Sequence, residues 1–285
     1  MPKEIDAALV RLSIGVFSNS RNDPGITQDV RVLHKLSGKA GKWIKYKLPE
    51  EALMPIKKFA GECRRRHYDL TLPWEDAYRL LTVASQASYN DQFTGFQKEF
   101  NKLVEAFIEE YPNWLAQARI MHSKTFNAAD YPTVQGMRES FKFEMEYTPV
   151  PNANHFVKSF AEEQVTAMSQ DLEARNEQRI AEAVADTWNR MIAPVRAMAD
   201  KLSSKEGIFR DTLVQNIKDI VELVPALNLT NNPQIVEAAK VIMDQLGSLD
   251  VDTLRDNKIV RQEAAEAAKN LVARFGAVGK RKFAA

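Results

Sequence analysis

The side chains with the clearest chemical potential lie between residues 31 and 66. That segment holds eleven Lys or Arg against three Glu, a net of +8 in a chain whose overall charge is +1, so the remainder carries −7. Within it Trp43, Lys45 and Lys47 alternate with Ile44, Tyr46 and Leu48, the period of a half-buried strand. If Ile44, Tyr46 and Leu48 face in, Trp43, Lys45 and Lys47 share the outer face. An aromatic ring between cations is the chemistry of a surface that stacks bases and tracks a phosphodiester backbone. Lys39 before the strand and Lys42 at its start would add positive charge to the region, as would Lys57, Lys58, Arg64, Arg65 and Arg66 after it. A structural reading competes with this nucleic-acid-binding one, and is favoured. Residues 139–148 form a second alternating stretch, with Glu144 and Glu146 on its outer face. If the two strands are neighbours, these carboxylates pair with Lys45 and Lys47. Arg64 to Arg66 near a helix C-terminus would complement the helix dipole.

Other chemistries find little support. Ser37-Gly38-Lys39-Ala40-Gly41-Lys42 resembles a phosphate loop only in composition. A Walker loop needs Gly, four residues and Gly-Lys-Ser/Thr opening a helix, whereas Leu36 and Trp43 occupy the flanks and a strand follows. The histidines, His34, His67, His122 and His155, have no metal-ligand spacing. No G-x-S-x-G nucleophile elbow is present. Cys63 is the sole cysteine, which leaves no internal disulfide and no cysteine cluster. The expectation is a non-enzymatic protein with no catalytic residue, no metal and no cofactor. An enzyme whose site is assembled from distant residues remains a third alternative.

These side chains must be positioned by a mixed N-terminal part. The spacing predicts strands at 8–17 and 42–48, a helix from Pro49 to about Arg66, and a short strand or extended connector over 67–72. It then predicts a helix starting at Pro73 and continuing to about Ser88, and another over 90–110 that stops at Tyr111-Pro112. A short helix follows over 112–122, and residues 139–148 form the strand with the cleanest alternation, Phe141, Phe143, Met145 and Tyr147. A weak helix is assigned to 26–36.

Beyond Pro149 and Pro151 the pattern is helical throughout. From Asn154 to Leu202 apolar residues recur at steps of three and four, except over 173–179 (EARNEQR). The stretch therefore reads as segments of about 154–172 and 180–202; residues 173–179 between them either stay helical without a core of their own or form an elbow or exposed arm, and Pro194 should kink or restart the helix. Val184, Trp188, Met191, Val195, Met198 and Leu202 form a seam with steps of 4, 3, 4, 3 and 4. It would cover the C-terminal helices or serve as a partner interface, including one with a second copy. Packing within the chain is favoured. Ser203 and Glu206 are expected to cap a helix ending at Pro225. Asn232-Pro233 should open another that stops at Gly247. A last helix should begin at Ser248 or Asp250 and break near Gly276.

The fold expected is mainly α, with a small antiparallel sheet and helices in residues 1–151. A long-helix bundle occupies 152–276, and 277–285 is a basic tail. No apolar run is long enough for a membrane span. The charged N-terminus lacks a small-residue cleavage site, so a cytoplasmic protein is expected.

The order of N-terminal features resembles a bacterial and phage family of unknown function, often encoded beside MoxR-type AAA+ ATPases and von Willebrand factor A-domain proteins. The matching residues are Leu12-Ser13-Ile14, Leu48-Pro49-Glu50-Glu51-Ala52-Leu53 and Lys57 to Arg66. They continue with Leu72-Pro73-Trp74-Glu75-Asp76, Tyr111-Pro112-Asn113-Trp114 and Phe141-Lys142-Phe143. The likeness covers about residues 9–200; the insertion at 19–40 and the long C-terminus depart from it. It carries no catalytic residue. It implies an accessory or adaptor protein, located in the host cytoplasm if phage-encoded, that works with an AAA+ ATPase partner.

Overall fold

The computed structural model describes residues 6–38, 40–75, 77–152, 162–204 and 210–276, with the side chains of 162–164 left out. Lys39, Asp76, the start of the long stretch at 154–161, the cap at Glu206 and the basic tail lie outside the described residues. The fold is mainly helical, with a small antiparallel sheet region in the N-terminal half and an all-helical bundle in the C-terminal half. No helix is long and apolar enough to cross a membrane among the described residues.

The chain groups into two compact units, and neither is a continuous stretch. One comprises Met1–Arg11, Tyr68–Tyr89 and Glu146–Ala285; the other comprises Leu12–His67 and Asn90–Met145. The grouping therefore differs from a cut after residue 151.

In the first unit a four-stranded sheet has the order β4-β5-β1-β6. It uses the start of β1 (Ala7–Gly15), β4 (Leu72–Glu75), β5 (Tyr78–Thr82) and the end of β6 (Lys142–Pro149). The β4–β5 hairpin replaces the helix expected from Pro73. Pro73 lies on an edge strand, where a missing N–H is tolerated. Leu72 and Trp74 turn inward, and Leu72 sits opposite Leu80. With Leu9, Ala183 and Leu227 these residues form one apolar cluster.

The main core of this unit is the bundle of α5 (Glu162–Ser203), α6 (Thr212–Leu227), α7 (Pro233–Ile242), α8 (Val251–Asp256) and α9 (Lys258–Phe275). Helix α5 is one helix of 42 residues, about 63 Å long at 1.5 Å per residue. It stays helical through residues 173–179, with no elbow there, and continues past Pro194 without restarting. The seam residues Val184, Trp188, Met191, Val195, Met198 and Leu202 are all buried against the other helices. Trp188 stacks on Phe275, with centroids 6.4 Å apart. Helix α6 passes Pro225 and ends at Leu227, and its Asp211 N-cap makes no side-chain bond. Asn232 caps α7 as its sequence position implies. A π turn, Met243–Gly247, extends it. The last expected helix is two, because Asn257 ends α8 and caps α9.

The second unit is built on α2 (Glu50–Leu70) and α3 (Val83–His122), of which it holds all but the last residues of α2 and the first of α3. Phe59 meets Phe96 edge-on at 5.7 Å, and His67 meets Phe93 at 6.1 Å. Phe100 and Phe107 pack on Phe143 and Phe141 of the β6 region, each at 5.5 Å. Helix α3 continues through Pro112 instead of ending there. Around this core lie α1 (Pro24–Leu33), capped by Asp23, and a separate two-stranded ribbon of β2 (Ser20–Asn22) and β3 (Ile44–Tyr46). Helix α4 (Val134–Glu139) and two short 3-10 turns at 123–125 and 128–130 complete the unit.

Candidate functional site

The β2–β3 ribbon has the opposite facing to the one its alternation suggested. Lys45 is 4% exposed, whereas Ile44 and Tyr46 are 50% and 63% exposed. Strand β3 ends at Tyr46, and the chain bends before Leu48 enters the core. Leu48 is held there by Asn19, whose side-chain amide donates to the Leu48 carbonyl at 2.9 Å and accepts from the Leu48 amide at 2.8 Å. Alternation equates Ile44 with Tyr46 and cannot say which face is covered.

The buried face is decided by polar partners. Lys45 Nζ donates to the Thr125 carbonyl at 2.7 Å and pairs with Asp130 at 3.0 Å. Arg21, opposite Lys45 on β2, reaches the other oxygen of the same carboxylate. The expected pairing with Glu144 and Glu146 is not formed. Strand β6 belongs to the other sheet, and Glu146 binds Arg11 and the Tyr78 hydroxyl. Lys47 lies over the Phe17 ring at 4.4 Å. Burial is the largest influence on its ammonium and pulls its pKa below the ordinary lysine value; Asp130 opposes the shift and Arg21 adds to it.

Two further contacts hold this segment through its backbone carbonyls. His122 Nε2 lies 2.8 Å from the Tyr46 carbonyl; a carbonyl can only accept, so this nitrogen carries a proton. The Tyr131 hydroxyl donates to the Lys47 carbonyl at 2.8 Å, and burial pushes its pKa up to about 12. Helix α1 is tied on by the Trp43 amide donating to Thr27 Oγ1 at 2.9 Å and by Arg31 donating to the Gly41 carbonyl at 3.0 Å.

The surface so presented is apolar. Val32, Leu33 and Leu36 at the end of α1, Trp43, Ile44 and Tyr46 on the ribbon, and Ile120 and Met121 beside His122 are all exposed. These eight are half of the sixteen large apolar side chains exposed among the described residues. Leu33 and Ile120 reach 76% and 81%. Single exposed apolar residues are ordinary, whereas a concentration of this kind makes these elements the candidate interaction surface. The sequence reading missed Val32, Leu33, Leu36, Ile120, Met121 and Asp130. It assigned Ile44 and Tyr46 to the core.

The remaining basic candidates are spread along α2 and the loop. Lys42, Lys57, Lys58 and Arg65 are exposed, and among the described residues none has a carboxylate at ion-pair distance. Arg64 donates to the Ile14 carbonyl at 2.7 Å and Arg66 to Gln92 at 3.0 Å, which orders both without neutralising them. Lys39 lies outside the described residues. Positions Val184 to Leu202 form the core of the first unit and are not available to a partner in this fold.

Two other features were weighed. A depression of about 280 Å³ in the first unit is lined by Asp211, Lys218, Asp250, Asp252 and Arg255 among others. Arg255 already binds Asp211 and Asp252, and Asp250 caps α8 through Thr253. No group of three or more His, Cys, Asp or Glu among the described residues is disposed to hold a metal ion. Comparisons with protein-family models, curated proteins and solved structures find no match, so the functional reading rests on the surface itself.

Proposed function

We propose that this chain is a non-enzymatic accessory protein that docks a protein partner through the exposed face of α1, β3 and the end of α3. The observation that carries this reading is the set of eight exposed apolar side chains on α1, β3 and the end of α3, beside a ribbon held by the Lys45–Asp130 ion pair and the His122–Tyr46 hydrogen bond. A rigid apolar face loses little conformational freedom on binding, which favours association. Aliphatic side chains also favour protein over nucleic acid, since bases stack on π faces and not on Val, Leu or Ile. The resemblance over residues 9–200 adds a phage or bacterial setting and an AAA+ ATPase as the partner to try first.

A photo-crosslinking amino acid at position 46, with a control at exposed Ile259 in the first unit, tests this reading in cells of the native host. Position 46 should give a discrete protein adduct that position 259 does not. Equal adducts at both positions, or none at 46, would overturn it.

A second reading is favoured by one observation. Lys57, Lys58 and Arg65 share the outer side of α2 without carboxylate partners among the described residues. Such a face could bind a phosphodiester backbone. Binding of a labelled 20-nucleotide strand should then weaken steeply with salt. A K57E/K58E/R65E triple variant should abolish it; unchanged binding removes this face from consideration.

A further inference from the structure

We infer that the partner segment held on the α1–β3 face is acidic as well as apolar: large hydrophobic side chains flanked by carboxylates. The inference rests on the docking reading above and adds the chemistry of what docks. The elements that carry these apolar residues, with the turn after α3, expose cations and almost no acids. Lys35, Lys42, Arg119 and Lys124 are exposed, and among the described residues none has a carboxylate at ion-pair distance. Arg119 lies over the Phe126 ring at 5.1 Å, which orders its guanidinium without cancelling its charge. Against them, α1, β3 and the end of α3 expose one acid, Asp29. The carboxylate that could have neutralised this side, Asp130, is turned away and shared between Lys45 and Arg21. A basic or neutral segment would leave four cations facing like charge or nothing. An acidic one meets each with an opposite charge, which raises the encounter rate and selects against wrong partners. The apolar residues supply the buried anchors and the cations the rim, the usual division in a protein interface.

The test is a selection from a random 16-residue peptide display library on the full-length chain. Retained peptides are then measured against three proteins: the wild type, L33D/I44D and K35E/K42E. Circular dichroism and thermal melts confirm that both variants are folded. Selected peptides should combine Leu, Ile, Phe or Trp with Asp or Glu. They should lose at least about tenfold in affinity to each variant, as for central interface residues, and bind less tightly as salt rises. Peptides that require Leu33 and Ile44 but carry no negative charge, and ignore K35E/K42E, overturn this inference and leave the docking reading standing. No retained peptide, or peptides indifferent to L33D/I44D, overturns both. A 20-nucleotide oligothymidine that binds the wild type and competes with the peptides would replace the protein partner by a nucleic acid.

Discussion

Asp130 settles what Lys45 does. A lysine ammonium taken out of water is tolerated only with a charge partner and hydrogen bonds, and Asp130 and the Thr125 carbonyl supply both. Asp130→Ala should destabilise the chain by about 3–5 kcal/mol, since it leaves a buried charge unpaired. A Lys45→Met/Asp130→Leu double variant should recover most of that loss. Urea denaturation of the three proteins checks both expectations, and equal losses in the single and double variants would refute the pairing. Cys63 is fully buried, and burial raises its thiol pKa from 9.0 to about 11. Between those values the unfolded chain has lost the thiol proton while the folded chain keeps it. Stability should therefore fall as pH rises from about 9 to 11, with a contribution of at most about 1.4 kcal/mol per pH unit from this group. Tyr89 and Tyr131, both raised by burial, add to the fall at higher pH. A Cys63→Ala variant should show a shallower decline in alkaline denaturation. The native thiol should resist a disulfide reagent until the chain unfolds. Little of this was legible in the sequence: Asp130 lies 85 residues from Lys45, and alternation carries no information about distant partners.

Elements were readable where local signals and tertiary packing agree. Asn232-Pro233, the 139–148 alternation and the 184–202 seam each gave the right element, because cap, period and burial coincide there. Prolines misled. Pro112 lies inside α3 and Pro225 inside α6, where helix ends were expected. At the first of these the packing explains why. Tyr111, buried, packs on Phe107 at 5.9 Å and donates its hydroxyl to the Pro132 carbonyl at 2.9 Å. These contacts hold the helix past a residue that lacks an N–H. Pro112→Ala should accordingly stabilise the chain, by up to about 3 kcal/mol, as a rise in urea midpoint. A fall would show that a kink there is required. Met191, fully buried in α5, is the opposite case: Met191→Ala should lose about 2–5 kcal/mol by the same measurement.

At the scale of the molecule, composition and period announced a mainly helical chain with a small sheet, but not how its parts group. Strand β1 and helix α2 each begin in one compact unit and end in the other, and so do α3 and β6. No linker separates the units in sequence. Residues 152–285, expressed alone, would lack Leu9, Leu72, Trp74 and Leu80, the partners of Ala183 and Leu227. That fragment should aggregate or bind a hydrophobic dye strongly, and a soluble, cooperatively melting fragment would refute the interdependence. This interleaving also orders events on the ribosome. The second unit has all its residues once position 145 has emerged, while the first waits for Phe275 at the end of α9 to stack on Trp188. For nearly half of synthesis the proposed docking face therefore has all its residues before the bundle does, so a partner of the kind proposed would be able to meet it on the nascent chain.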